Sequence, residues 1–249
     1  MIKVGCCGFP SGMKRYFDKF RLVEVQKTFY NPPRIETARR WRAQAPEKFE
    51  FTLKAWQLIT HDPKSPTYRK AGIKVEKGRE ERYGFFRNTR EVFDAWDITK
   101  KIAEALGSKI ILFQCPASFK EEKENIENIK GFFSSIDRNF IFVWEPRGEW
   151  SMKTVADLCE ELGLIHCTDP FVGDPATLSG TGYLRLHGKG RRRYDYDYTR
   201  EDLSLLLDKI EMYGAEKVYV LFNNIQMEKN ALEFTGMISE RSRSQGDVE

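Results

Sequence analysis

Eight short apolar runs, at residues 2–7, 22–26, 49–54, 109–114, 140–145, 163–168, 182–187 and 217–223, recur along the chain with helical patterns between most of them. No other feature narrows the choice of fold so far. Each run is of strand length, and the clearest helical stretches, 35–45, 89–106, 121–135, 151–162 and 199–213, are long enough to serve as crossovers. Strands alternating with such helices pair in parallel through right-handed connections. At 249 residues the chain is close to the size of one eight-stranded α/β barrel. The expected fold is a single (β/α)8 TIM-like barrel over residues 1–239, followed by a polar tail, 240–249, expected to be disordered.

Local punctuation supports these boundaries. Thr199 with Asp202 three residues on reads as a capping box, and Ser151 as an N-cap. Gly107, Gly163 and Gly214 each close a helical run before a strand, where a left-handed C-cap is expected. The first and last helices, at 11–20 and 230–239, are the weakest patterns. No linker divides the chain, and the longest interruption, 61–88, reads either as a solvated insertion or as a lid.

Composition excludes several classes. No apolar run approaches a membrane span, and the N-terminus enters a strand pattern directly, so the expectation is a cytoplasmic protein without membrane contact. A net charge of +4 is too small for a dedicated nucleic-acid binder. Five cysteines without regular spacing point to reduced thiols rather than a disulfide framework. Oligomeric state is not indicated.

Strand phase locates a site. In Tyr183-Leu184-Arg185-Leu186-His187-Gly188 the leucines share one face, and Arg185 and His187 the other. The same phase puts Glu24, Lys54, Gln114, Glu145 with Arg147, and Asn223 at or near strand ends, with Asp169 just after the sixth strand. In a barrel these positions face the C-terminal mouth, whereas charge packed against helices would be costly. Mutually satisfied salt bridges that merely close the barrel are the competing explanation.

Several motifs resemble the YecE-like family, domain of unknown function 72: Val23-Glu24-Val25-Gln26-Lys27-Thr28-Phe29-Tyr30, Lys54 with Ile59-Thr60-His61, Leu112-Phe113-Gln114-Cys115-Pro116-Ala117-Ser118-Phe119, Trp144-Glu145-Pro146-Arg147 with Trp150, the Tyr183 to Gly188 run, and Phe222-Asn223-Asn224 with Asn230-Ala231. They span nearly the whole chain. Cys6-Cys7 stands where that family usually has Thr-Ser, which questions any hydroxyl role there. The resemblance implies an α/β barrel and assigns no activity.

The chemistry read from these residues is that of a hydrolase or lyase acting on a small phosphate-bearing or otherwise anionic substrate. Glu145 and His187 are the candidate acid and base. Lys54 is a candidate oxyanion stabiliser or, given a depressed pKa, a Schiff-base lysine. Glu24 completes the catalytic set. Tyr30, His61, Gln114, Arg147, Asp169, Arg185, Gly188, Lys189, Arg191 and Asn223 are candidate binding residues, the loop after the seventh strand offering glycines and cations to phosphate. Phe29, Tyr30, Trp56, Trp144 and Trp150 could line the cleft. A rival reading has Arg191, Arg192 and Arg193, interleaved with Tyr194, Tyr196 and Tyr198, bind nucleic acid, either alone or in a metal-dependent nuclease. A third is a non-catalytic partner-binding protein. A Mg or Mn site drawn from Glu24, Glu145, Asp169, His61 and His187 is open, whereas an iron-sulfur or zinc thiolate site at Cys7, Cys115 and Cys167 is disfavoured for want of ligand spacing.

Overall fold

The structure, a computed structural model, describes residues 1–178, 180–190 and 193–246. Eight parallel strands close into a barrel in chain order: β1 (Ile2–Cys7), β2 (Leu22–Val25), β3 (Glu50–Lys54), β4 (Ile110–Gln114), β5 (Ile141–Glu145), β6 (Leu164–Thr168), β7 (Thr181–Leu186) and β8 (Lys217–Phe222). Closure is made by β8 along β1, with Ile2 opposite Val218 and Cys6 opposite Phe222. This is the expected eight-stranded barrel. β2 stops at Val25 because the chain turns at once into the short helix Lys27–Tyr30, and His187 and Asn223 lie just beyond their strands.

Period 2 sorts the side chains into two compartments. Leu22, Ile110, Leu112, Val143, Cys167, Tyr183, Tyr219 and Leu221 fill the barrel interior. The alternate residues pack outward on the helices. Arg90–Leu106 illustrates the fit, since it buries Val92, Ala95, Trp96, Thr99, Ile102, Ala103 and Leu106 along one stripe. Trp96 meets Phe113 and Phe142 at 6.1 and 5.7 Å between ring centroids. Each such large apolar side chain contributes about 1.5–3 kcal/mol by burial.

The helix caps follow the sequence closely. Thr199 and Asp202 form a reciprocal capping box, Ser151 Oγ accepts from Thr154 N, and Gly107, Gly163 and Gly214 are left-handed C-caps. The first helix is Met13–Lys19. The last departs from expectation. It runs Met227–Gly246, past the anticipated end at Ser239, so residues 240–246 are helical rather than a disordered tail. Arg241 reaches Asp208 at 2.6 Å and Glu211 at 2.9 Å, and Arg200 pairs with Glu240 at 2.6 Å, which holds the polar end against the preceding helix. Residues 247–249 lie outside the described residues. No helix of the described residues is long and apolar enough to cross a membrane.

Two glycines mark close approaches. A Cβ on Gly5 would stand 2.4 Å from the Leu22 carbonyl oxygen, so β1 and β2 can meet there only without a side chain. Gly84, at φ +73°, would press a Cβ within 2.2 Å of the His61 carbonyl oxygen. It closes the insertion after β3, which contains the helix Pro66–Ala71 and a turn of 3-10 helix at Glu80–Arg82.

Candidate active site

The inward residues of β2, β5 and β7 meet at Arg185. Its Nη2 lies 3.0 Å from Glu24 Oε1 and its Nη1 2.5 Å from Glu145 Oε2, all three side chains being buried. Burial opposes the Arg185 charge, but the Glu145 and Glu24 carboxylates more than restore it and hold its pKa well above the ordinary value. Glu24 is further fixed by Tyr183, whose hydroxyl donates to Oε2 at 2.7 Å, and by Gln26 Nε2. Thr52 Oγ1 stands 2.9 Å from the same tyrosine oxygen. Tyr183 was absent from the sequence-based set, although its phase with Arg185 would have found it.

Above this layer opens a cavity of about 590 Å³ lined by Gln114, Glu145, Arg147, Asp169, His187 and Tyr194, among others. Arg147 Nε donates to Glu145 Oε1 at 2.8 Å, and its Nη2 lies 2.6 Å from His187 Nε2. Burial alone would raise the Glu145 carboxyl; the cations of Arg185 and Arg147 outweigh it and hold Glu145 well below the usual carboxylate range. His187 is depressed chiefly by burial, against an opposing contact with Asp169 and with help from Arg185 and Arg147. Asp169 Oδ2 accepts from the His187 backbone N at 2.9 Å and stands 3.6 Å from Nδ1. An imidazole whose Nε2 faces a guanidinium must offer that nitrogen as acceptor, so the ring proton belongs on Nδ1, toward Asp169.

Of the sequence-predicted residues, the fold therefore unites Glu24, Glu145, Arg147, Arg185 and His187 with Gln114 and Asp169. Lys54 joins them from the side, donating to Gln114 Oε1 at 2.7 Å. Others go elsewhere. His61 is buried against Phe29, its ring centroid 4.8 Å from that ring and its Nδ1 2.8 Å from Thr60 Oγ1, near enough to Lys54 and Arg147 to feel their charges, while Tyr30 also packs on Phe29 with Lys70 over its ring; neither His61 nor Tyr30 lines the cavity. Lys189 turns outward to pair with Asp202 and covers the Phe171 ring at 4.0 Å, because the N-terminus of helix Arg200–Tyr213 carries the acid it needs. Gly188 N donates to the Tyr198 hydroxyl at 2.7 Å, and the Asn223 backbone to Leu186 O. Neither Gly188 nor Asn223 lines the cavity.

The tyrosines after β7 divide. Tyr198 is buried, Tyr196 donates to Asp202 at 2.6 Å, and Tyr194 alone of the three borders the cavity. Arg191 and Arg192 lie outside the described residues. Trp144 is also redirected: its indole faces the helices, donating to Cys115 Sγ at 3.3 Å, since it alternates with inward Glu145. Cys115 shares that outer face, whereas Cys7 and Cys167 are inside. Among the described residues no cluster of three His, Cys, Asp or Glu is arranged to hold a metal, and the guanidinium of Arg185 fills the gap between Glu24 and Glu145.

This carboxylate-guanidinium layer rests on the same strand-end residues whose motifs mark a family, and residues 9–247 match the family described as protein of unknown function DUF72. The chain belongs to the DUF72 family. The UPF0759 protein YunF of Bacillus subtilis is 25% identical over 249 aligned positions, covering 85% of this chain and 80% of YunF. A DUF72 family protein of Enterococcus faecalis superposes with a TM-score of 0.75 at 18% identity, over 96% of both chains. One from Thermotoga maritima gives 0.67 at 23%, covering 96% of this chain and 99% of that one. The DUF72 chains share the barrel from end to end.

Proposed function

We propose that this DUF72 protein is an acid-base enzyme, a hydrolase or lyase, that binds a small phosphate- or carboxylate-bearing substrate in the mouth cavity. The observation that carries the reading is the contact between Arg147 and His187 Nε2 on the cavity wall. The Arg147 side chain is 33% exposed and anchored to Glu145 Oε1 through Nε and Nη2, both at 2.8 Å, which leaves Nη1 to reach an anion first. An incoming anion draws the guanidinium off His187 and uncovers Nε2, a neutral nitrogen that then accepts a substrate proton while Asp169 steadies Nδ1–H. Glu145, kept ionised by two arginines, orients Arg147 and balances its charge.

Thermal unfolding in inorganic phosphate tests the binding half. Phosphate stabilises most proteins by exclusion from their surface, so the deciding quantity is the difference between wild type and Arg147→Gln. A larger Tm rise in wild type is expected; equal rises overturn the reading. A panel of phosphate esters and phosphorylated acids tests the chemistry, with turnover expected to vanish in His187→Asn while phosphate binding persists. Turnover that survives in His187→Asn removes the proposed base.

A further inference from the structure

Lys54, at the end of β3, has no part in the acid-base step just described. Its side chain is buried at 6% exposure. Ion pairs in the mouth join Arg185, Arg147 and His187 to carboxylates and leave Lys54 out. Its Nζ instead donates to the neutral Gln114 amide and lies 3.6 Å from the centroid of the Phe29 ring. Structural lysines are retained by a carboxylate partner or reach out to water; Lys54 does neither. Burial first, then the charge of Arg185, bring its pKa down to about 7, Glu145 opposing them, Arg147 adding to them and Glu24 opposing least. Gln114 lines the cavity, so the amine is one side chain from the space a substrate would fill.

From this placement we propose that Lys54 is a nucleophile that forms an imine with an aldehyde or ketone of the substrate, which makes the substrate class a small carbonyl compound carrying an acidic group. The acidic group rests on the reading above, through Arg147. The amine lone pair adds to the carbonyl carbon, and an amine proton passes to the carbonyl oxygen. With one further proton that oxygen leaves as water, and the product is a protonated imine. No oxidant or reductant enters. The cationic imine draws electrons from the neighbouring carbon, so the bond broken next is a C–H or C–C bond there, with His187 as the base.

Reductive methylation by formaldehyde and cyanoborohydride at pH 7, mapped by peptide mass spectrometry, tests the amine without knowledge of the substrate. An amine titrating near 7 is neutral about a thousandfold more often than an ordinary lysine at that pH. Lys54 is expected to label at least about tenfold faster than the exposed Lys109; a rate equal to or below that of Lys109 overturns the proposal. Borohydride trapping with glyoxylate, pyruvate or glyceraldehyde 3-phosphate is expected to leave an adduct confined to Lys54 and absent in Lys54→Met and Lys54→Arg. Adducts scattered over surface lysines overturn it. If trapping at Lys54 is unchanged in Arg147→Gln, the anion contact falls and the nucleophile stands. If phosphate protection through Arg147 holds while Lys54 stays unlabelled, the imine falls alone.

Discussion

Arg147 Nη2 lies 2.6 Å from His187 Nε2, a separation that an unprotonated imidazole nitrogen accepts and an imidazolium would not. The two side chains therefore exclude each other's extra proton, and the arginine, always charged, prevails. Arg147→Gln is expected to raise the His187 titration toward its ordinary value. NMR of the imidazole Cε1–H signals, assigned with His187→Asn, measures this; an unmoved His187 would show that Arg147 has no hold on it.

Arg185 serves two buried carboxylates at once. Arg185→Met leaves Glu24 without a counter-charge and Glu145 with Arg147 alone, and removing one member of a buried ionic group costs about 3–5 kcal/mol. Urea unfolding should show a midpoint lowered accordingly. Arg185→Lys is expected to recover little, since a single ammonium does not reproduce two forked contacts.

Acid sensitivity should come from the histidines. His61 is brought down to about 3 and His166 to about 4, burial leading in both. As pH falls below the ordinary histidine value, the unfolded chain takes up protons that the folded chain refuses, so stability is full above pH 6.5 and declines below it. Each ring removes about 3 kcal/mol by pH 4. Unfolding midpoints at pH 7, 5.5 and 4 should trace the loss, and His61→Leu should make the slope shallower.

Lys54 shifts stability at the other end of the scale. Between about 7 and its ordinary value the unfolded lysine holds a proton that the folded one lacks, so the cost of burying it is full at pH 7 and fades toward pH 10. Lys54→Met should be more stable than wild type at pH 7, with the gap closing as pH rises. A gap independent of pH would mean that only packing had changed.

Gly5→Ala would put a methyl group against the Leu22 backbone, and the pairing of Cys6 with Val23 leaves the strands no room to part. Overpacking of this kind costs about 1–3 kcal/mol. Guanidinium unfolding against Gly131→Ala, a helical site with open space, separates the contact from the loss of glycine.

Strand phase made much of this legible beforehand. Glu24, Gln114, Glu145, Arg185 and His187 converge because period 2 leaves an inward residue one destination, and Thr199, Ser151 and the cap glycines act within a turn of themselves. What stayed hidden depends on partners distant in sequence. Nothing near Lys189 announces Asp202 as its mate, nothing near His61 tells that its ring packs on Phe29 outside the cavity lining, and the want of a carboxylate beside Lys54 is visible only in three dimensions. Helix Met227–Gly246 outran its pattern because Arg241 anchors its polar end to Asp208 and Glu211.

The guanidinium shared by β2, β5 and β7 also bears on how the barrel finds its closure. A slip of one residue in any strand turns its inward side chains outward. In β2 that would drive Glu24 among the helices, in β5 Glu145, and in β7 the arginine itself, stranding the remaining charges inside. A one-residue slip of any of these three strands is penalised by the trio, so the same atoms that floor the mouth proofread the register of β2, β5 and β7 as the barrel assembles.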